Sequence, residues 1–206
     1  TSGYSPHMIM SFAQPLGIGI TSDGEYLDIE LTKAVASDEA VRRLNQVMVE
    51  GIDVVSFVQI SEDKKDSGMT IVAAAAYEIS MLRSSKSMYE TLPVPEEWST
   101  GLTAFLDQDN LTVLKKTKRS EREVNIRPMI YQMEITDSRI RMFLAAGSEE
   151  NLKPDLVMEA FCQFLGIEPD SVKFQHHRLE MYTDRSEDGS LIPLEAMGVD
   201  MTGDEE

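Results

Sequence analysis

Cysteine is nearly absent from this sequence of 206 residues, which contains Cys162 alone. A single thiol excludes an internal disulfide and an iron–sulfur cluster held only by this chain's cysteines. No apolar stretch approaches the ~18 residues of a membrane-spanning helix. The sequence also lacks a Walker motif, a Gly-rich phosphate loop and a G-x-S-x-G elbow. We therefore expect a cytoplasmic protein with no membrane contact and none of these common catalytic motifs.

Basic residues are scarce as well: 19 Lys and Arg stand against 36 Asp and Glu, and the formal net charge is −17. The basic residues are clustered, because residues 112–143 hold eight of them against four acidic residues. A basic hairpin on an acidic body can bind phosphates. Its lysines can equally prevent an exposed sheet edge from pairing with another strand. The candidate RNA-binding residues here are Lys115, Lys116, Lys118, Arg119 and Arg127, of which Arg127 either faces solvent or meets a carboxylate or phosphate.

Apolar periodicity predicts alternating strands and helices along the chain. The first part reads β-β-α-β, with extended runs over 8–20 and 25–31, a helix from Ser37 to Gly51 with Ser37 as its cap, and a strand over 52–60. After a polar linker, the second part reads β-α-β-β-β-α-β, with strands over 69–82, 111–114, 124–135, 140–145 and 172–182 and helices from Glu96 and over 155–165. An acidic tail from Asp200 is expected to be disordered.

This order predicts an α+β fold of two ferredoxin-like, split βαβ units with antiparallel sheets. We expect a first unit over 1–66 that lacks its initial strand and helix, a second over 67–195 with an extra hairpin, and a tail over 196–206.

The segment Tyr4-Ser5-Pro6-His7 is the most distinctive candidate site. Pro6 restricts its own φ and biases Ser5 to an extended conformation, which stiffens the loop. Such a loop can present Tyr4 for stacking on a base and His7 for hydrogen bonding or proton transfer, or it can be a structural turn. His7 is the one weak catalytic candidate. We expect no metal site, because His176 and His177 are adjacent on a strand and face opposite sides.

Three blocks at the start of the chain carry a resemblance to a known family: residues 3–7 (GYSPH), 11–17 (SFAQPLG) and 24–30 (GEYLDIE). Together they resemble the radical-SAM-associated domain of unknown function, which occurs alone or fused behind an unusual radical SAM protein. The resemblance continues weakly through Ile126-Arg127-Pro128. It implies a further strand and helix ahead of the first block. It also implies a radical SAM partner that carries the S-adenosylmethionine and the iron–sulfur cluster, with no cofactor on this chain.

Three functions remain open at this stage. The first is an accessory protein that binds an RNA substrate, such as a tRNA or rRNA, for modification or processing with the radical SAM enzyme. The alternative is a protein–protein adaptor that docks on that enzyme without nucleic acid. A metal-independent endoribonuclease that uses His7 ranks lowest, because one histidine without a clear second base is thin evidence. We therefore favour an accessory protein over an enzyme.

Overall fold

The structure is a computed structural model, and it describes residues 8–84, 89–116, 121–168 and 171–202. These residues form a mixed α+β fold with four α-helices and mostly antiparallel strands, which confirms the predicted class. Among the described residues, no helix has the length and apolar character needed to cross a membrane.

The first 66 residues contain little regular structure. The elements are β1 (Met10–Phe12), β2 (Thr21–Ser22), β3 (Leu27–Ile29) and α1 (Ser37–Asn45). Strands β1 and β3 form an antiparallel pair. The predicted strand over 52–60 is wrong. All of these residues are described, and they form one isolated β-bridge, between Gln59 and Val199, instead of a strand. Its β-branched residues have strand propensity but no neighbouring strand to pack against, and Val55 is 82% exposed.

The rest of the chain builds the main sheet and its helices. The elements are α2 (Gly68–Ile71), β4 (Val72–Ser84), β5 (Tyr89–Leu92), α3 (Trp98–Leu106), β6 (Thr112–Lys116), β7 (Glu121–Asn125), β8 (Ile130–Thr136), β9 (Arg139–Ala145), α4 (Pro154–Phe164), β10 (Lys173–Thr183) and β11 (Ile192–Pro193). Four long antiparallel strands lie in the order β10-β4-β9-β8. Strand β5 pairs with the far end of β4, and β2 and β11 pair with β10. Strands β6 and β7 form a separate hairpin.

One face of the main sheet packs against α3 and α4. Alternate residues of β4, namely Ala75, Tyr77 and Ile79, enter a single core with the apolar faces of both helices. Trp98 of α3 meets Phe161 of α4 edge to face, with ring centroids 5.7 Å apart. Cys162 is buried in the same core, and burial raises the pKa of its thiol.

The strand predicted over 124–135 is two strands. A 3₁₀ turn, Arg127–Met129, separates β7 from β8. Pro128 has no backbone N–H, so the ladder cannot run through this position. Arg127 therefore lies in a turn rather than within a strand.

The chain end returns to the first helix. The Ser37 hydroxyl accepts a hydrogen bond from Met201 N at 2.9 Å, and Ser37 N donates to Met201 O at 3.0 Å. Ser37 is thus the first residue of α1, not the predicted side-chain cap, and the helix ends at Asn45, short of Gly51. The prediction of disorder from Asp200 onward is wrong for Met201, whereas residues 203–206 lie outside the described residues.

Candidate functional site

The sheet has a second face, opposite the helices, which we call the open face. Ala74, Ala76 and Glu78 of β4 point to this side, because residues alternate along a strand and Ala75, Tyr77 and Ile79 point to the core. Much of this surface is exposed. Its exposed residues on two adjacent strands are Tyr131, Gln132 and Glu134 of β8 and Arg139 and Arg141 of β9.

Three aromatic rings form a row across the open face. Tyr131 contacts Phe143 at 5.7 Å between centroids, and Phe143 contacts Tyr182 at 5.0 Å, both close to edge to face. The central strand makes the second contact possible. Phe143 lies beside Ala76 and Tyr182 beside Ala74, so only methyl groups stand between β9 and β10. Edge-to-face pairs of this kind contribute about 0.5–1.5 kcal/mol beyond their buried area.

A β-bulge presents the outermost ring of this row. Ile130 pairs with Leu144 and Gln132 with Phe143, so Tyr131 is an extra residue on β8 with no direct partner on β9. Its side chain is 49% exposed. Burial, and then the carboxylates of Glu150 and Asp184, raise the pKa of Tyr131.

Both phenols of the row are neutral at physiological pH. Burial and the nearby Glu180 carboxylate raise the pKa of Tyr182, in the same direction as Tyr131. A neutral phenol can stack on an apolar ring and still donate one hydrogen bond. The row is therefore suited to a flat ligand.

Ionisable side chains lie beside the aromatic row. The Glu78 carboxylate accepts a hydrogen bond from Arg139 Nη1, and its other oxygen lies 3.6 Å from Arg141 Nε. One carboxylate thus interacts with two guanidinium groups. The side chains of both arginines are 48% exposed. Because a guanidinium has five N–H donors, both can still bind an anion or a polar ligand at this surface.

His177 occupies the same level of the sheet, opposite Glu78 on β10. Its Nδ1 lies 2.7 Å from Thr21 Oγ1 and its Nε2 lies 3.0 Å from Asp23 Oδ2. These contacts join β2 to the edge of β10. Both ring nitrogens have partners, so the geometry favours a structural role for this histidine.

His176 points to the other side, as predicted for adjacent strand residues, and is buried. Burial lowers its pKa, against an opposite effect of the Asp155 carboxylate, whose Oδ1 lies 3.2 Å from Nε2. Among the described residues, no three His, Cys, Asp or Glu side chains are grouped to hold a metal ion.

Most of the predicted site residues fall where the structure says nothing of their side chains. Residues 1–7 and 117–120 are outside the described residues. Lys115 and Lys116 lie on β6 opposite Arg122 and Glu121, and only their backbone is described. The predicted residues outside the described part are Tyr4, Ser5, Pro6, His7, Lys118 and Arg119. Their roles stay predictions.

Arg127 makes contacts that neither sequence alternative included. Its Nε donates to Leu106 O at 2.8 Å and its Nη1 to Ile130 O at 3.1 Å. The guanidinium thus supplies donors at the end of α3, where backbone carbonyls lack helical partners. These bonds hold α3 to the start of β8, while binding of RNA by Arg127 stays a prediction.

The two sequence blocks over 11–17 and 24–30 attach the first part of the chain to the sheet. Arg178 of β10, which is 3% exposed, donates through Nη1 to both carboxylate oxygens of Glu25 at 3.1 Å and to Gln14 O at 3.1 Å. Its guanidinium also lies 5.9 Å from the ring centre of Tyr77. Tyr26 donates to the Glu180 carboxylate at 2.8 Å. Sequence reasoning missed Arg178, because an arginine within a strand rich in polar residues gives no local sign of a partner 153 residues away.

Residues 1–154 match one protein family, described as an uncharacterized protein conserved in bacteria (DUF2344). The chain belongs to this family. No curated protein and no solved structure matches the chain significantly.

The DUF2344 match includes most of the open face. It covers β4, β8 and β9, and thus Tyr131, Phe143, Arg139 and Arg141. It ends at Pro154, so Tyr182 and the rest of β10 lie beyond it. The face is therefore built from the matched region and one strand that follows it.

Proposed function

We propose that this protein is an accessory protein of a radical SAM enzyme and that it binds single-stranded RNA on the open face. The row formed by Tyr131, Phe143 and Tyr182 carries the RNA part of the proposal. Aromatic side chains on an accessible sheet are the usual means by which proteins stack unpaired RNA bases. The link to a radical SAM enzyme rests on the sequence resemblance alone.

We also propose that residues 72–183 form a ferredoxin-like unit. Two features support this. The elements run β4-α3-β8-β9-α4-β10, with the β6–β7 hairpin inserted after α3. The four strands are antiparallel in the order β10-β4-β9-β8, which is the strand order of a split βαβ arrangement. RNA-binding domains of this kind use the sheet face away from the helices.

The charge of the protein indicates that bases rather than phosphates supply most of the affinity. A net charge of −17 repels a polyanion. The exposed arginines beside the aromatic row are Arg139 and Arg141, and both approach Glu78. Since each phosphate neutralised on a single strand contributes about −0.7 to the salt slope, two contacts predict a slope near −1.4. Lys115 and Lys116 would steepen the slope if the hairpin also contacts the strand.

The test is binding of a short, labelled single-stranded RNA by the full chain, measured by fluorescence anisotropy at several salt concentrations. Tyr131→Ala should weaken binding roughly tenfold, because stacking contributes about 1–3 kcal/mol per base. Phe12→Ala is the matched control, since Phe12 is a 50% exposed aromatic residue on β1. Unchanged binding by Tyr131→Ala would remove the open face from the proposal, and no binding at low salt would refute RNA binding altogether.

A second experiment tests the basic hairpin. Replacing Lys115 and Lys116 together by Ala should make the salt slope shallower if the hairpin binds phosphates. An unchanged slope would leave the hairpin without this role. The result does not depend on Tyr131, so the hairpin and the open face are tested separately.

The adaptor function has one specific observation in its favour. The β1–β3 pair exposes Met10, Phe12 and Leu27 by 51%, 50% and 42%. Neighbouring exposed apolar residues of this size are typical of protein-binding surfaces. A complex with the radical SAM protein that survives nuclease treatment and is weakened by Phe12→Ala would favour the adaptor. Separate elution of the two proteins on a sizing column would count against it.

A further inference from the structure

Two polar side chains on β8, Gln132 and Glu134, lie beside the aromatic row. Gln132 is directly opposite Phe143, and Glu134 is directly opposite Arg141. Both are exposed, and Met133 between them is buried on the helix side. Within the described part of the chain, neither Gln132 nor Glu134 makes a side-chain hydrogen bond or ion pair.

These side chains and the aromatic rings line one groove. Its volume is about 330 Å³, and its walls include Gln132, Glu134, Arg141, Phe143 and Tyr182. Apolar walls with a few polar groups are the usual composition of a small-ligand site. Stacking on the rings would place the edge of a base against the polar side chains of β8.

Glu134 differs from Glu78 and Glu180, two other carboxylates on this face. Glu78 serves Arg139 and Arg141, and Glu180 accepts hydrogen bonds from the Tyr26 hydroxyl and from Met181 N. Among the described residues that line the groove, Glu134 is the one carboxylate. Its two oxygens can therefore accept hydrogen bonds from a ligand without loss of an internal contact.

We propose that the groove selects guanine. The Watson–Crick edge of guanine presents one acceptor, O6, followed by two donors, N1–H and N2–H. The Glu134 carboxylate accepts from both donors, and the Gln132 amide donates to O6. The two side chains are two residues apart on one strand face, about 7 Å along the strand, so both can reach one base. This inference names the ligand of the open face and rests on the proposed function.

The other bases fit this pair of side chains less well. Adenine and cytosine each offer one amino donor next to a ring nitrogen with a lone pair, which would face a carboxylate oxygen. Uracil places one N–H between two carbonyl oxygens, and both would repel the carboxylate. Because an unpaired or opposed polar group in a binding site costs affinity, these mismatches discriminate against the three bases.

The experiment uses the full chain and four labelled single-stranded RNAs that are identical except for one central base. The RNA with guanine should bind roughly tenfold more tightly than the other three, as expected for a bidentate base contact. A fifth RNA carries hypoxanthine, which lacks the N2 amino group, at the central position. It should lose a large part of that preference.

Glu134→Gln tests the residue, because an amide cannot accept two hydrogen bonds from N1–H and N2–H in the same way. The variant should bind all four RNAs with similar affinity, close to that of wild type for uracil. Glu123→Gln on β7 is the control, with the same charge change at an exposed position outside the main sheet. It should retain the preference for guanine.

Two results overturn the proposal in distinguishable ways. If the wild type binds the four RNAs equally, or if Glu134→Gln keeps the guanine preference, the base selectivity is refuted and RNA binding stands. If none of the RNAs binds at low salt, RNA binding and guanine selection are both refuted.

Discussion

Replacing Arg178 by Met should destabilise the protein by about 3 kcal/mol, at the low end of the range for a broken buried ion pair. The Arg178 side chain is 4% exposed and that of Glu25 is 28% exposed, so the carboxylate left behind recovers only part of its hydration. The variant also loses the hydrogen bond to Gln14 O. For a chain of 206 residues, 3 kcal/mol corresponds to a fall in melting temperature of roughly 6–12 °C.

The effect should depend on pH with a definite sign. Burial raises the pKa of Glu25 above 4.5, against the opposing effects of a Ser22 hydrogen bond and of Arg178. Without Arg178 this pKa rises further, so the folded state of the variant binds a proton more tightly than the unfolded state. The difference in unfolding free energy between wild type and variant therefore grows as pH rises from 4.5 toward neutrality. This difference is smallest at acidic pH.

The assay is urea denaturation followed by circular dichroism, at acidic and neutral pH. Arg185→Met is the matched control, because the Arg185 side chain is 50% exposed and its Nε lies 3.9 Å from Asp184 Oδ1, which is also exposed. It should change stability by no more than about 0.5 kcal/mol. A double variant with Glu25→Gln should lose less than the two single variants combined. If Arg178→Met behaves like Arg185→Met, the first part of the chain is not held to the sheet by this pair.

Three further predictions follow from local geometry. Ala74→Leu should lower the free energy of unfolding, measured by urea denaturation, by about 1–3 kcal/mol, because a larger side chain must enter the fully buried space below the aromatic row. The same variant should bind RNA more weakly. Hydrogen bonds from Ser190 hold the pKa of Asp188 at about 2. An NMR titration should therefore show the Asp188 carboxyl protonating near that pH. The stabilisation by this carboxylate is present above pH 3.8 and is lost as pH falls toward 2. Gly147→Ala should lower stability by 2 kcal/mol or more, roughly the cost of a strained φ, because φ is +122° and the new methyl would lie 2.0 Å from Val72 O.

Regular elements with their own periodic pattern were predictable. The helix over 155–165 and the strands over 140–145 and 172–182 are observed as α4, β9 and β10 within one or two residues. Each has an apolar face that repeats along one segment, so no distant residue is needed to recognise it. The predicted strand over 52–60 failed for the opposite reason. Its β-branched residues satisfy a local propensity, but a strand needs a partner that the pattern cannot supply.

The site was less predictable than the elements. The sequence predicted two candidate binding segments, a stiff loop at 4–7 and a basic hairpin, because of the residue types they contain. The open face has no such signal, because Tyr131, Phe143 and Tyr182 are ordinary strand residues when read singly. The alanine run over 73–76 lies within the strand predicted over 69–82. In the sheet its small side chains allow rings from two other strands to meet.

By itself the sequence determined the α+β class, the acidic character and the positions of the periodic elements, because composition and local repeats carry that information. Only the tertiary structure decided which side chains share a surface. The contact of Arg178 with Glu25 and the row across β8, β9 and β10 depend on strand order and register. A shift of one residue would turn each of these side chains to the other face, and no local pattern specifies that alignment.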